Sequence, residues 1–117
     1  MTHNEAVRRL KKQVKRWLYF VKHWGWKVTL FYCDGYEEMP EEADTTTTAI
    51  TYCNWNYLEG CVYFNTRLVK DDEDEIEALV VHELSHFLVS PMQTDKRNVE
   101  IAVSMIARTL TGLRDGR

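Results

Sequence analysis

The sequence predicts an α+β fold: an N-terminal helix, a small three-stranded sheet and two closing helices. Three observations carry this. Val7, Leu10, Val14, Trp17, Leu18 and Val21 recur at helical spacing. Runs rich in β-branched and aromatic residues fill the middle of the chain. Then an almost continuously apolar stretch, Ile76 to Val89, is followed by a second amphipathic one. The chain has 117 residues, which suits one domain over 1–117 with a single core.

Each element has its own local reason. The first helix is expected over about residues 4–24, stopped by Gly25 and favoured by His23 near its C-terminal end. "WKVTLFY", Trp26 to Tyr32, alternates and reads as a strand. "CDGYEEMPEEAD", Cys33 to Asp44, carries glycine, proline and acids without a period, so it reads as a loop. Its length suits a mobile or functional segment. A second strand lies within Thr45 to Asn56 and a third in "CVYFNTRLV", Cys61 to Val69, with a hairpin around Leu58, Glu59 and Gly60. "KDDEDEIE" opens the next helix, its acids favourable against the helix dipole. The run lacks the pattern of a calcium loop and reads as a solvated helix start. Pro91 closes this helix, and a last one runs from about Asp95 to Leu110, with Gly112 just past its end.

Bulk properties narrow the function. The net charge is −3, but Arg8, Arg9, Lys11, Lys12, Lys15, Arg16, Lys22 and Lys27 stand against Glu5 alone in the first segment. A helix this basic is a candidate surface for nucleic acid or an acidic partner, and its plainer reading is a solvated face. Cys33, Cys53 and Cys61 lack metal-type close spacing, which suits free thiols in a reducing compartment. No stretch is long and apolar enough to span a membrane, and the charged start is unlike a signal peptide. The cytoplasm of a prokaryote, or of a phage-infected one, is the expected home.

The chemistry is carried by "HELSH", His82 to His86, in the most apolar helix of the chain. It matches H-E-x-x-H. Residues four apart share a helix face with a rise of about 6 Å, so both imidazoles can reach one metal ion. Glu83 lies about 100° round, placed to meet a water on the metal rather than to ligate. A carboxylate there takes the proton of a zinc-activated water as it attacks a carbonyl. Core histidines bonded to backbone are the structural alternative.

Catalytic zinc usually takes three protein ligands. No histidine follows His86, so a downstream ligand must be Asp95, Glu100 or Asp115. Asp95 falls where a helix N-cap is expected and Asp115 in the tail, where fraying is expected. Glu100 borders the apolar stripe of Val99, Ala102, Val103, Ile106 and Leu110, and either turns inward as the third ligand or bends out to solvent. "SPMQTD" is the turn that joins the two helices.

These features together resemble the gluzincin group of zinc metallopeptidases, in which H-E-x-x-H on one helix is followed by a ligand glutamate on the next. The chain is most similar to the small minigluzincins and to short phage and bacterial metallopeptidase-like proteins; SprT-like and ImmA-like peptidases share part of the layout. The resemblance implies a minimal zincin-like fold, one Zn²⁺ on His82, His86 and Glu100, Glu83 as general base, and a peptide or protein substrate. It also implies that the strand Cys61 to Val69 borders the cleft, where an extended peptide adds alongside it. Polar residues that accompany the third ligand in thermolysin-like members are not evident. Tyr52, Tyr57 and Tyr63 are candidates for stabilising an oxyanion as well as packing residues. His3 and His23 read as surface groups, and Trp55 as an aromatic near the hairpin turn. The expected function is zinc-dependent peptide hydrolysis. The alternative is a non-catalytic zinc-containing module that binds nucleic acid or a protein through its basic first helix.

Overall fold

A computed structural model describes residues 1–89 and 96–114, with side chains over 1–89 and 100–112. The fold is α+β, three helices and a three-stranded mixed sheet, in the order α1 (His3–His23), β1 (Lys27–Cys33), β2 (Ala49–Asn54), β3 (Glu59–Asn65), α2 (Glu73–Val89) and α3 (Lys96–Arg114), with α3 packed on α2. Short 3₁₀ turns occupy Tyr36–Glu38 and Thr66–Leu68.

Thr2 caps α1 by accepting the Glu5 N–H, and Ala6, Leu10, Gln13, Val14, Trp17 and Val21 are buried along one face. Gly25 ends the helix with φ 92°, a conformation cheap only for glycine. The sheet order is β1-β3-β2, with β1 parallel and β2 antiparallel to β3. Alternation sends Val28, Leu30 and Tyr32 with Val62 and Phe64 toward the helices. Phe31, Tyr63 and Tyr52 stand on the opposite face, where Phe31 and Tyr63 stack with centroids 4.5 Å apart. The core between sheet and helices gathers Leu10, Trp17, Trp26, Phe64, Ile76, Val80 and Phe87.

The hairpin differs from the sequence expectation. Trp55 to Leu58 make the turn, Leu58 takes the positive φ of 51°, and Glu59 and Gly60 are already in β3. Gly60 serves packing instead: a Cβ there would lie 2.3 Å from Phe87 Cε1 and 2.4 Å from the Tyr52 carbonyl oxygen. β3 correspondingly ends at Asn65, whose side chain accepts the Arg67 N–H and turns the chain into the 3₁₀ segment. Register pairs Cys53 with Gly60 and Tyr52 with Cys61, so Cys53 and Cys61 are on opposite faces, and none of the three cysteines is in a disulfide.

Asp72 caps α2 by accepting the Asp74 and Glu75 N–H groups. Asp71, Asp72, Asp74 and Glu75 are exposed, as a solvated helix start requires, while Glu73 and Glu77 are drawn toward α1. Glu73 takes Gln13, Arg9 and Lys12 of α1, while Asp71 pairs with Arg9. Glu77, 4 % exposed, accepts the Trp17 indole N–H at 3.0 Å and pairs with Arg16 at 3.4 Å. His3 is likewise a structural tie, its Nδ1 2.6 Å from Thr66 Oγ1. α3 continues through Gly112 to Arg114, beyond the expected stop, because a glycine inside a helix costs only about 1 kcal/mol and Gly112 has no positive φ. Along α3, Val103 is buried and Ala102, Ile106 and Leu110 are half-buried. Pro91, the joining turn, Asp95 and Asp115 lie outside the described residues. No described helix is long and apolar enough to cross a membrane.

Candidate metal centre

α2 is buried on three sides: Val80, Leu84 and Phe87 enter the core, and Glu77 meets α1. Its remaining face carries His82 and His86, whose side chains are 29 % and 18 % exposed. Burial falls hardest on Glu83, 7 % exposed, which turns from the histidines toward β2. The cost of idle polar groups in an apolar helix therefore attaches first to the glutamate.

Glu100, in the early turns of α3, turns its carboxylate toward the two histidines while its side chain stays 45 % exposed. Its Oε2 lies 3.1 Å from His82 Nε2 and its Oε1 3.3 Å from His86 Nε2. One ligand atom from each of His82, His86 and Glu100 falls within 4.8 Å of the others. Atoms each about 2.0–2.2 Å from one tetrahedral ion lie about 3.3–3.6 Å apart, near the two histidine–carboxylate separations, which run to different oxygens of Glu100. Two imidazole nitrogens and a carboxylate oxygen also match the donor preference of zinc. Burial pushes the His86 imidazole below its ordinary pKa, against the opposing pull of Glu100, and so favours the neutral form that keeps a lone pair for a metal. The residues present fit the ion.

Glu83 stands apart from this set. Its Oε2 is 4.0 Å from His82 Nε2, and its Oε1 accepts the Thr51 hydroxyl at 2.8 Å. Burial raises its pKa; the Thr51 hydrogen bond and the field of His82 oppose that rise, and the Glu100 charge adds to it. A carboxyl raised in this way is a better proton acceptor than an exposed one.

The cluster opens into a cleft of about 490 Å³ lined by Glu42, Thr47, Ala49, Ile50, Thr51 and Tyr52 together with the site residues. This wall is β2, which corrects the expectation for the strand Cys61 to Val69. β3 is paired on both sides and has no free edge to offer. Of the three candidate tyrosines only Tyr52 lines the cleft; its hydroxyl donates to Glu42 Oε2 at 2.6 Å, and that bond pushes its pKa up to about 12. Tyr63 stacks on Phe31, Tyr57 is exposed, and Trp55 packs edge-on against Trp26. Thr51 and Glu42 carried no signal in the sequence, because only the fold brings the edge strand and the long loop to α2. In the basic helix, Arg9, Lys12 and Arg16 are taken up by acids at the start of α2, while Arg8, Lys15 and Lys22 remain exposed. No family model matches the chain, and comparison with curated proteins and with solved structures gives no match either.

Proposed function

We propose that this protein is a zinc-dependent peptidase in which Glu83 is the general base. One observation carries the reading: His82, His86 and Glu100 converge from two helices at ligand spacing, with a buried carboxylate beside them that is not part of the set. His82 and His86 through Nε2, and Glu100 through its carboxylate, would hold the ion. Zinc, when bound, supplies Lewis acidity toward a water and a carbonyl oxygen.

The chain's own residues do the rest. Glu83 takes a proton from water as the water oxygen bonds to the carbonyl carbon, then delivers it to the amine nitrogen as the C–N bond breaks. A glutamate that only held structure would have no need to sit beside an open cleft. Substrate seating follows from the sheet register. The Asn65 N–H bonds to the Thr48 carbonyl, so alternation directs the backbone groups of Ala49 and Thr51 away from β3, toward the free edge. An extended peptide can pair there, along the wall of the cleft.

The test is zinc content in protein purified without added metal, followed by cleavage of quenched fluorescent peptides. About one zinc per chain, and a Glu83→Gln variant that keeps zinc but loses hydrolysis, are the expected results. A folded chain without zinc affinity, or a Glu83→Gln variant as active as wild type, overturns the proposal.

A further inference from the structure

The edge strand bears a side chain that the proposed chemistry has not yet used. Thr51 faces inward from β2, its Oγ1 2.8 Å from Glu83 Oε1 and 3.5 Å from the Glu83 carbonyl oxygen. Among the described residues it is the one hydrogen-bond donor to that carboxylate. A threonine hydroxyl has a single proton, and the shorter contact assigns it to the carboxylate. β-Branching restricts the side chain at χ1, so the strand fixes where the hydroxyl points.

The two carboxylate oxygens are thereby distinguished. Oε1 is held by Thr51, while Oε2 is the oxygen facing His82 Nε2 at 4.0 Å. Without the hydroxyl, the carboxylate of a buried glutamate with three side-chain torsions loses its one hydrogen-bond donor among the described residues. The same residue's backbone lies at the free edge where a peptide would pair. Peptide seat and base are joined through one residue.

We propose that Thr51 is a positioning residue: its hydroxyl holds the Glu83 carboxylate so that Oε2 faces the ligand cluster. This rests on the peptidase reading for its catalytic consequence and on the geometry alone for the contact itself.

The experiment has two arms, using Thr51→Val, Thr51→Ser, Glu83→Ala and the Thr51→Val/Glu83→Ala pair. The first is urea unfolding of metal-free protein, without substrate. Thr51→Val is expected to lower the midpoint in the wild-type background and to have much less effect beside Glu83→Ala. Equal losses in both backgrounds overturn the proposal, whatever the protein hydrolyses. The second arm uses zinc-loaded protein and a quenched fluorescent peptide that wild type cleaves. Thr51→Val is expected to keep one zinc per chain and a near-unchanged KM while kcat falls about ten- to hundredfold, and Thr51→Ser to recover most of the loss. An unchanged kcat in Thr51→Val, or a Thr51→Ser variant as impaired as Thr51→Val, also overturns it. If wild type cleaves nothing, the peptidase reading fails, and the unfolding arm still decides whether Thr51 fixes the carboxylate.

Discussion

Gly60→Ala is the sharpest test of how α2 is seated on the sheet. The added methyl carbon would stand 2.3 Å from Phe87 Cε1, 3.0 Å from Phe87 Cζ and 2.4 Å from the Tyr52 carbonyl oxygen. Neither side can yield cheaply. Phe87 is fully buried and packs edge-on against Trp26 at 5.0 Å, and the Tyr52 carbonyl belongs to the β2–β3 ladder. Overpacking of this kind costs about 1–3 kcal/mol. Unfolding entropy near 2.1 cal/mol/K per residue gives about 0.25 kcal/mol/K for 117 residues, so Tm should fall by roughly 4–12 °C. The assay is thermal unfolding of the metal-free protein followed by circular dichroism. Because Phe87 follows His86 directly, the variant should also bind zinc more weakly. A Gly60→Ala protein melting within about 1 °C of wild type would refute the register and the seat of α2.

Zinc at about a hundred times its dissociation constant should stabilise the wild type by about 2.7 kcal/mol, a rise of roughly 11 °C on the same entropy scale. Glu100→Ala should lose most of that shift and Glu83→Gln should keep it; a loss of the same size in both would place Glu83 among the ligands. Trp17→Phe removes the indole donor from the buried Glu77 and should cost about 2 kcal/mol in urea unfolding, less when combined with Glu77→Leu. Glu73 is held below its ordinary pKa by Gln13 first and Arg9 next, so its contribution is present above the unfolded value of 4.5 and lost as pH falls through the lower folded one. Glu73→Gln should therefore lose less stability than wild type between about pH 6 and pH 3, measured as urea midpoints; an identical pH profile would remove Glu73 from the acid response.

What the sequence made legible follows the reach of local rules. Helical periodicity located α1 because Leu10, Val14, Trp17 and Val21 all enter one core. H-E-x-x-H located the histidine pair because helix geometry alone puts His82 and His86 on one face. Glu100 was legible as a border residue, but only the packing of α3 on α2 decides that its carboxylate turns toward the histidines. Strand order was not legible, since period two says which face a residue takes and nothing about its neighbour strand. The placement of the strand Cys61 to Val69 at the cleft came from the family resemblance alone, and β2 stands there instead. Gly60 misled for a related reason: glycine marks a turn or a close approach, and only the tertiary structure shows Phe87 above it.

The uneven charge of the chain takes on a different meaning once the contacts are known. A basic first helix suggested a partner outside the molecule, yet Arg9, Lys12 and Arg16 meet Asp71, Glu73 and Glu77 inside it. Exposed pairs of this kind add little stability one by one, but they act with the buried Trp17–Glu77 bond at the same seam. That seam sets the rotation of α2 about its own axis. Phe87 against Gly60 and Trp26 sets its height on the sheet. With rotation and height both fixed, the face carrying His82 and His86 has one direction left to look, and Glu100 and the β2 edge are what lie there. A helix that could roll by one position, about 100°, would exchange His82 for Glu83 at the ligand cluster. Under the proposed function, the charge asymmetry keeps His82 rather than Glu83 at the cluster, and reversing it should act on the site as well as on stability. Arg9→Glu with Arg16→Glu should weaken zinc binding in a chain that still folds. Unchanged zinc affinity in that double variant would show that the apolar contacts alone orient α2.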